Sequence, residues 1–267
     1  MDGIINLSIV QMIFAYVLVI ITLIIIKVQG VHREKEVIIS NIRMTLQLSI
    51  TGYILVYIFE KPHPIITFGL IFIMEIFAIY TVLKKFKDKI NKKLKKVIAI
   101  SMFLGTFTSI LYFLFIIVRV NPWYNPQYFI PISGMLIGNS MTGVSLCIKH
   151  LSENMYIKRS VVEEKLMLGA TPKTAVKDIV ASSFDSAILP TINSMLGMGI
   201  IFLPGMMTGQ ILSGTSPVTA ISYQIAIMIG IFTTVIITTV MVLNFGYKTY
   251  FNEELQLIHW HLSMYRL

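Results

Sequence analysis

The sequence predicts an all-α polytopic membrane protein of about seven transmembrane helices, and three observations carry that expectation. Of its 267 residues 55% are apolar and only 13% charged, well away from soluble-domain averages. The apolar residues fall into runs of spanning length, near Ile4–Ile26, Met44–Phe59, Ile65–Leu83, Val97–Val118, Phe129–Cys147, Ala187–Leu203 and Ala220–Asn244. The net charge of +9 sits mostly in the short connections between those runs, which argues for membrane orientation and against nucleic-acid binding.

The first run lacks a basic n-region and a small-x-small cleavage site, so it reads as a retained helix. With seven spans, an outside N-terminus and a cytoplasmic C-terminus put every basic residue inside except Lys61 and Arg119, out of 22. The Lys84–Lys96 connection is then an orientation signal touching anionic headgroups. Its lysines have no interleaved aromatics, as a single-strand nucleic-acid site would need. Outside, Asn121-Pro122-Trp123-Tyr124-Asn125-Pro126 reads as a rigid turn with aromatic anchors.

The second run begins at Arg43, whose long side chain suits an interfacial, snorkelling position, with Gln47 one turn on. In the third, Glu75 is an acid at mid-membrane, where it must face a bundle interior or a wet cavity. It either pins helix packing or neutralises a cationic substrate. The fifth run carries Gly134 and Gly138 at small-xxx-small spacing beside Asn139, Ser140 and Thr142, a pattern for close helix approach.

Between the fifth and sixth runs lies a polar helix-turn-helix, Glu163 to Val180. Gly169 stands where a helix stops in the left-handed conformation, Thr171 is placed as an N-cap, and Pro172 as the first residue of the next helix. Ala175, Val176, Ile179 and Val180 then form an apolar stripe, with Lys173 and Lys177 facing away. Charge placement makes this device cytoplasmic, part of a segment at about 150–186 within a single domain.

The sixth run is interrupted. It holds Pro190, Thr191, Asn193 and Ser194, then Pro204, Gly205, Met206, Met207, Thr208, Gly209 and Gln210. Such broken helices flank transport pathways, because freed backbone groups need protein or water around them. The expected pathway set is Glu75, Asn139, Thr142, Thr191, Asn193, Ser194, Pro204, Gly205, Thr208 and Gln210, with Pro190–Gln210 as a moving gate. Met206 and Met207 are candidate thioether ligands for a soft metal, against the plainer reading as apolar filler.

An enzyme is the weaker alternative. Cys147 is the single cysteine, the five histidines lie at or beyond helix ends, and His259-x-His261 does not share a helix face. No G-x-x-x-x-G-K-[ST] phosphate loop occurs, so ATP hydrolysis would belong to another chain. A non-transporting scaffold or sensor has little use for the broken sixth span.

Four strings carry a family resemblance: Gly138-Asn139-Ser140-Met141-Thr142-Gly143, Leu168-Gly169-Ala170-Thr171-Pro172, Leu189-Pro190-Thr191-Ile192-Asn193-Ser194-Met195, and Leu203-Pro204-Gly205-Met206-Met207-Thr208-Gly209-Gln210-Ile211-Leu212. With Arg43-Met44, Gln47-Leu48 and Tyr223-Gln224, the chain resembles the Fet-type iron-export permeases. That family forms the membrane half of an ATP-binding-cassette transporter and has plant relatives linked to aluminium tolerance. The resemblance implies a plasma-membrane permease without its own ATPase site or bound cofactor. ATP-Mg would sit on a separate ATP-binding subunit docked at Glu163, Glu164, Gly169, Ala170, Thr171 and Pro172. Two permease copies are the natural symmetric arrangement. Glu163 and Gly169 have the spacing of the importer EAA-x-x-x-G loop, but Ile188-Leu189-Pro190 comes too late for that motif's I-x-L-P, so docking is implied and import direction is not. The implied cargo is iron, with a nucleotide sugar as the competing substrate.

Overall fold

The computed structural model describes residues 7–87 and 90–258. His259, His261, Lys89 and Arg266 lie outside the described residues. The described chain forms ten α-helices: α1 (Ile9–Val28), α2 (Glu34–Glu60), α3 (Pro64–Lys85), α4 (Lys92–Tyr112), α5 (Pro126–Ile157), α6 (Arg159–Met167), α7 (Pro172–Ala175), α8 (Lys177–Gly197), α9 (Gly205–Leu212) and α10 (Pro217–Gly246). A π-turn, Phe113–Val118, extends α4, and a 3₁₀ turn, Tyr247–Tyr250, extends α10. The boundaries follow local chemistry. Pro64, Pro126, Pro172 and Pro217 open their helices, where the missing N–H costs nothing. Ser8 and Gln11 close a reciprocal capping box on α1, and the Asn91 side chain caps α4.

The protein is a polytopic all-α membrane protein. Six helical stretches among the described residues are long and apolar enough to cross a membrane: α1, α2, α3, α4 with its π-turn, α5, and α10 with its 3₁₀ turn. The run expected at Ala187–Leu203 is divided. Its helix, α8, begins ten residues earlier and takes in Asp178 and Asp185, while Met198–Pro204 is non-helical and α9 follows. Connectivity still sends α8 from one face of the bundle to the other. Ser152 near the end of α5 bonds the Tyr250 hydroxyl at 3.0 Å, and Asn91 at the start of α4 donates to the Thr249 carbonyl at 2.7 Å. The ends of α5 and α10 therefore share a face. Gln224, early in α10, reaches Met198 just past α8 at 3.8 Å. At 1.5 Å per residue, α8 is about 30 Å long, enough to make that return. Pro190, expected as a break, lies inside α8, and the discontinuity falls at Met198–Pro204 instead.

Helix α5 is the centre of the bundle and packs against α3, α4, α8 and α10. Close approach rests on glycines that a side chain would block. A Cβ on Gly143 would stand 2.7 Å from Val235, and one on Gly105 2.6 Å from Thr238. The expected Gly134 and Gly138 pair plays a smaller part. Gly138 faces open space, and Gly134 meets only the flexible end of Met74. Across the seam, Ser140 donates to Thr238 at 3.0 Å, and Thr238 donates to the Thr234 carbonyl at 2.8 Å.

Outside this core, α1 buries no residue and α2 only Ile58. Helix α2 starts at Glu34, nine residues before the position expected, so Arg43 lies within a helix. Its guanidinium rests over the Phe77 ring at 5.4 Å. Stacking of that kind compensates a cation that has left water.

Candidate functional site

The polar device between α5 and α8 folds as its boundary signals dictate. Helix α6 ends at Met167, Gly169 takes φ +87°, and its left-handed backbone turns the chain into α7. Thr171 caps α7, its hydroxyl accepting from the Thr174 N–H. Helix α7 is only four residues long because the backbone kinks at Val176 before α8. Ala175, Val176 and Ile179 are buried, and Val180 is half-buried, so the stripe roots the device in the core. Lys173 and Lys177 are exposed.

Two ion pairs fix its geometry. Arg159 and Glu163 pair at 2.8 Å within α6, and Lys165 clips α6 to Asp178 on α8 at 3.0 Å. Hydrogen bonding and attraction from Lys165 hold the Asp178 carboxyl below the usual carboxylate range. At the tip, Met167 and Leu168 are 85% and 88% exposed. Glu164 is exposed beside them.

Sequence reasoning missed the second wall of this surface. After the 3₁₀ turn the chain doubles back, with Phe251 bridged to Leu257 and Asn252 donating its N–H to the Gln256 carbonyl. Glu254–Leu257 then face Glu163, Leu166, Met167, Gly169, Ala170 and Pro172 across a groove of about 500 Å³. The turn-forming Asn252 and positive-φ Leu255 are local, but the groove depends on long-range packing and left no periodic signal.

At membrane depth the expected pathway residues divide into two groups. Glu75, 4% exposed, lines a cavity of about 560 Å³ between α3 and α4, open past Phe72 and Phe107 and reaching Pro64 and Trp123. Thr106 stands beside the carboxyl, but its hydroxyl donates to the Met102 carbonyl at 2.7 Å. Both carboxyl oxygens are left without a hydrogen-bond partner. None of the other expected pathway residues lines this cavity.

The second group follows α5, α8 and α9. Gly143 abuts Ala187, setting the register of the antiparallel α5–α8 pair. Asn139 and Thr142 are exposed on one face of α5, and each donates to its own helix, to Met135 at 2.8 Å and Gly138 at 3.1 Å. On α8, Asn193 is exposed, Ser194 donates to the Pro190 carbonyl at 3.0 Å, and Thr191 is buried. Asp185 is exposed two helical turns before Asn193 on the same face, an acid the sequence reading passed over. Pro204 precedes α9, where Gly205 is exposed and Thr208 and Gln210 are half-buried. Met207 is buried, and Met206 packs on the core. Among the described residues, no three His, Cys, Asp or Glu side chains converge as a metal cluster.

Comparison with known proteins places this architecture in a family. The chain is 32% identical to the "Probable iron export permease protein FetB" of Escherichia coli over 91% of its own length and 92% of that protein's. It is 34% identical to the "UPF0014 membrane protein YjkA" of Bacillus subtilis, covering 84% and 88% of the two chains. With the "Protein ALUMINUM SENSITIVE 3" of Arabidopsis thaliana it shares 35% identity over 80% and 77%. No solved structure matches it. The family model described as "Uncharacterised protein family (UPF0014)" matches residues 9–251, and the chain belongs to that family of membrane proteins.

Proposed function

We propose that this chain is the permease of an ATP-driven cassette transporter in the plasma membrane, powered by a separate ATP-binding subunit and exporting iron or another metal ion. The observation that carries the reading is the Met167–Leu168 knob. Two large apolar side chains stand almost fully exposed on a capped turn. That turn is rooted in the core through Ala175, Val176 and Ile179 and clipped to α8 by Lys165 and Asp178. An exposed apolar patch rimmed by polar residues marks a protein-binding site. A rigid root gives a partner's stroke a direct path into α8. Glu163, Glu164, Gly169, Ala170, Thr171 and Pro172 form the docking surface, on the cytoplasmic side.

The α5–α8 face supports homodimeric assembly. Asn139, Thr142, Asn193 and Asp185 are exposed where lipid would leave polar groups poorly served, and a second copy would cover them. The pathway then runs between the copies, with Met198–Pro204 as the moving joint. The iron assignment rests on the name of the Escherichia coli relative.

The test pairs docking with cargo. Met167→Glu combined with Leu168→Glu should lower co-purification of the cognate ATP-binding subunit about tenfold or more, as for loss of an interface hot spot. The folded yield should stay unchanged. Undiminished co-purification sinks the coupling assignment. Cells carrying both subunits should accumulate less iron under iron load than cells lacking them, and equal accumulation sinks the iron assignment alone.

A further inference from the structure

Glu75 has no role in docking, yet its setting is unusual: it is the one acid among the buried polar side chains of the described residues, and both of its oxygens are unpaired. A carboxylate removed from water needs a cation or a hydrogen-bond donor beside it. Here the one donor beside the carboxyl, the Thr106 hydroxyl, is committed to the Met102 carbonyl, neither oxygen is paired, and none of the three ion pairs among the described residues includes Glu75. The space beside it is not filled by packing. It amounts to about 560 Å³, within the range of small-molecule sites.

The lining defines what can enter. Glu75 is its single ionisable group, and Thr106 its single hydroxyl. The rest is apolar and strongly aromatic. Phe72 meets Phe103 edge-on at 6.1 Å, Phe103 stacks with Phe107 at 5.7 Å, and Phe68 tilts against Trp123 at 5.8 Å. A bare divalent metal ion requires several hard or imidazole ligands in a defined geometry. One carboxylate among phenyl rings does not supply them. Aromatic faces attract cations, and most strongly where water is excluded. One carboxyl, ionised by the cation it receives, matches a single positive charge.

We propose that the α3–α4 cavity is a binding site for a bulky organic monocation whose charge is carried by an apolar body, with Glu75 as counter-ion and the Phe72, Phe103 and Trp123 rings as the wall. Any part in transport rests on the permease reading above. Binding itself is a property of this chain alone, so the two can fail separately.

The experiment uses the full chain in lipid nanodiscs, without its ATP-binding subunit, and tetraphenylphosphonium as the probe. Binding is read by equilibrium dialysis and by the fluorescence of Trp123, with Trp123→Phe as the spectroscopic blank. Saturable binding is expected. Glu75→Gln should weaken it about tenfold or more, as for loss of a charge partner in a low-dielectric site. Phe72→Ala should weaken it about two- to fivefold, the scale of one cation–π contact. Triphenylphosphine oxide, similar in shape and uncharged, should not compete, nor should ferrous or manganous ion. The Met167→Glu, Leu168→Glu chain should bind the probe normally. Equal affinity of wild type and Glu75→Gln overturns the proposal, as does competition by the neutral analogue, which marks an apolar groove only. Competition by ferrous ion overturns the organic class. If Glu75→Gln does not fold, the neutral-analogue, metal and Phe72→Ala arms still decide.

Discussion

The α5–α10 seam and the α3–α4 cavity are both buried in one bundle and both contain polar groups, yet they differ in which groups they leave unpaired and in the space beside them. In the seam, Ser140 bonds Thr238 and Thr238 bonds the Thr234 carbonyl, while Gly143 on α5 and Gly105 on α4 let α10 approach closely; the Thr239 hydroxyl is left unpaired there but carries no charge. In the cavity, neither Glu75 oxygen is paired, and the adjacent Thr106 hydroxyl donates to its own helix. The seam is arranged to remain shut. The cavity keeps an unpaired acid beside open space, an arrangement that is costly unless something else completes it.

The comparison breaks first at its tightest point. Gly143→Leu drives a branched side chain into Val235, already 2.7 Å from the position of a Cβ, and into the α8 backbone at Ala187. Overpacking there should cost about 3 kcal/mol, the upper end for such insertions. It should be read as a lowered midpoint in detergent unfolding followed by tryptophan fluorescence. The same substitution at Gly138, which faces open space, should leave the monomer's stability unchanged. A seam that tolerates Gly143→Leu is not closed as described.

The opposite sign is expected in the cavity. Glu75→Met removes a buried group with no partner and should stabilise the chain by about 1–2 kcal/mol, the scale of one unsatisfied group. Destabilisation would mean that the carboxyl pins the helices, the packing role that the sequence left open. In the seam, Ser140→Ala should destabilise by about 0.6 kcal/mol, typical of one hydrogen bond between membrane helices.

These differences also mark how far the sequence could be read. The capped turn at Gly169-Ala170-Thr171-Pro172 was legible because its signals are local: a left-handed glycine, a threonine cap and a proline at the first helical position. The crossing helices were legible from apolar runs, with one displaced. Helix α8 extends ten residues before its apolar run because buried Ile179 and Ser183 pack inward while Asp178 and Asp185 remain exposed. Hydropathy averaged over a window does not see such a face. The sequence marked Glu75 as costly but not as unpartnered, since Thr106 is 31 residues away and only packing shows where its hydroxyl points. Likewise, the small-xxx-small spacing of Gly134 and Gly138 is a statistical cue. The glycines that bring the helices together, Gly105 and Gly143, are defined by their neighbours on α10.

The Lys165–Asp178 clip extends the comparison to the exposed end of the scale, where a polar pair is neither buried nor orphaned. Lys165 holds the folded-state pKa of Asp178 below its unfolded value. The clip's contribution is therefore fully present above the ordinary carboxylate pKa of about 4 and is lost as pH falls through the folded value. Hydrogen exchange of the α6 amides should be flat between about pH 7 and pH 5, once corrected for intrinsic rates, and should rise on further acidification. Asp178→Asn should show the raised exchange at every pH and no acid step. Because the pair is solvent-exposed, about 1 M salt should weaken it even at neutral pH by screening. The global unfolding midpoint should barely move, since Ala175, Val176 and Ile179 keep the device rooted when the clip opens. A loss of global stability equal to the local loosening would show instead that the turn and the core unfold as one unit, and that the clip is part of the seam's cooperative structure.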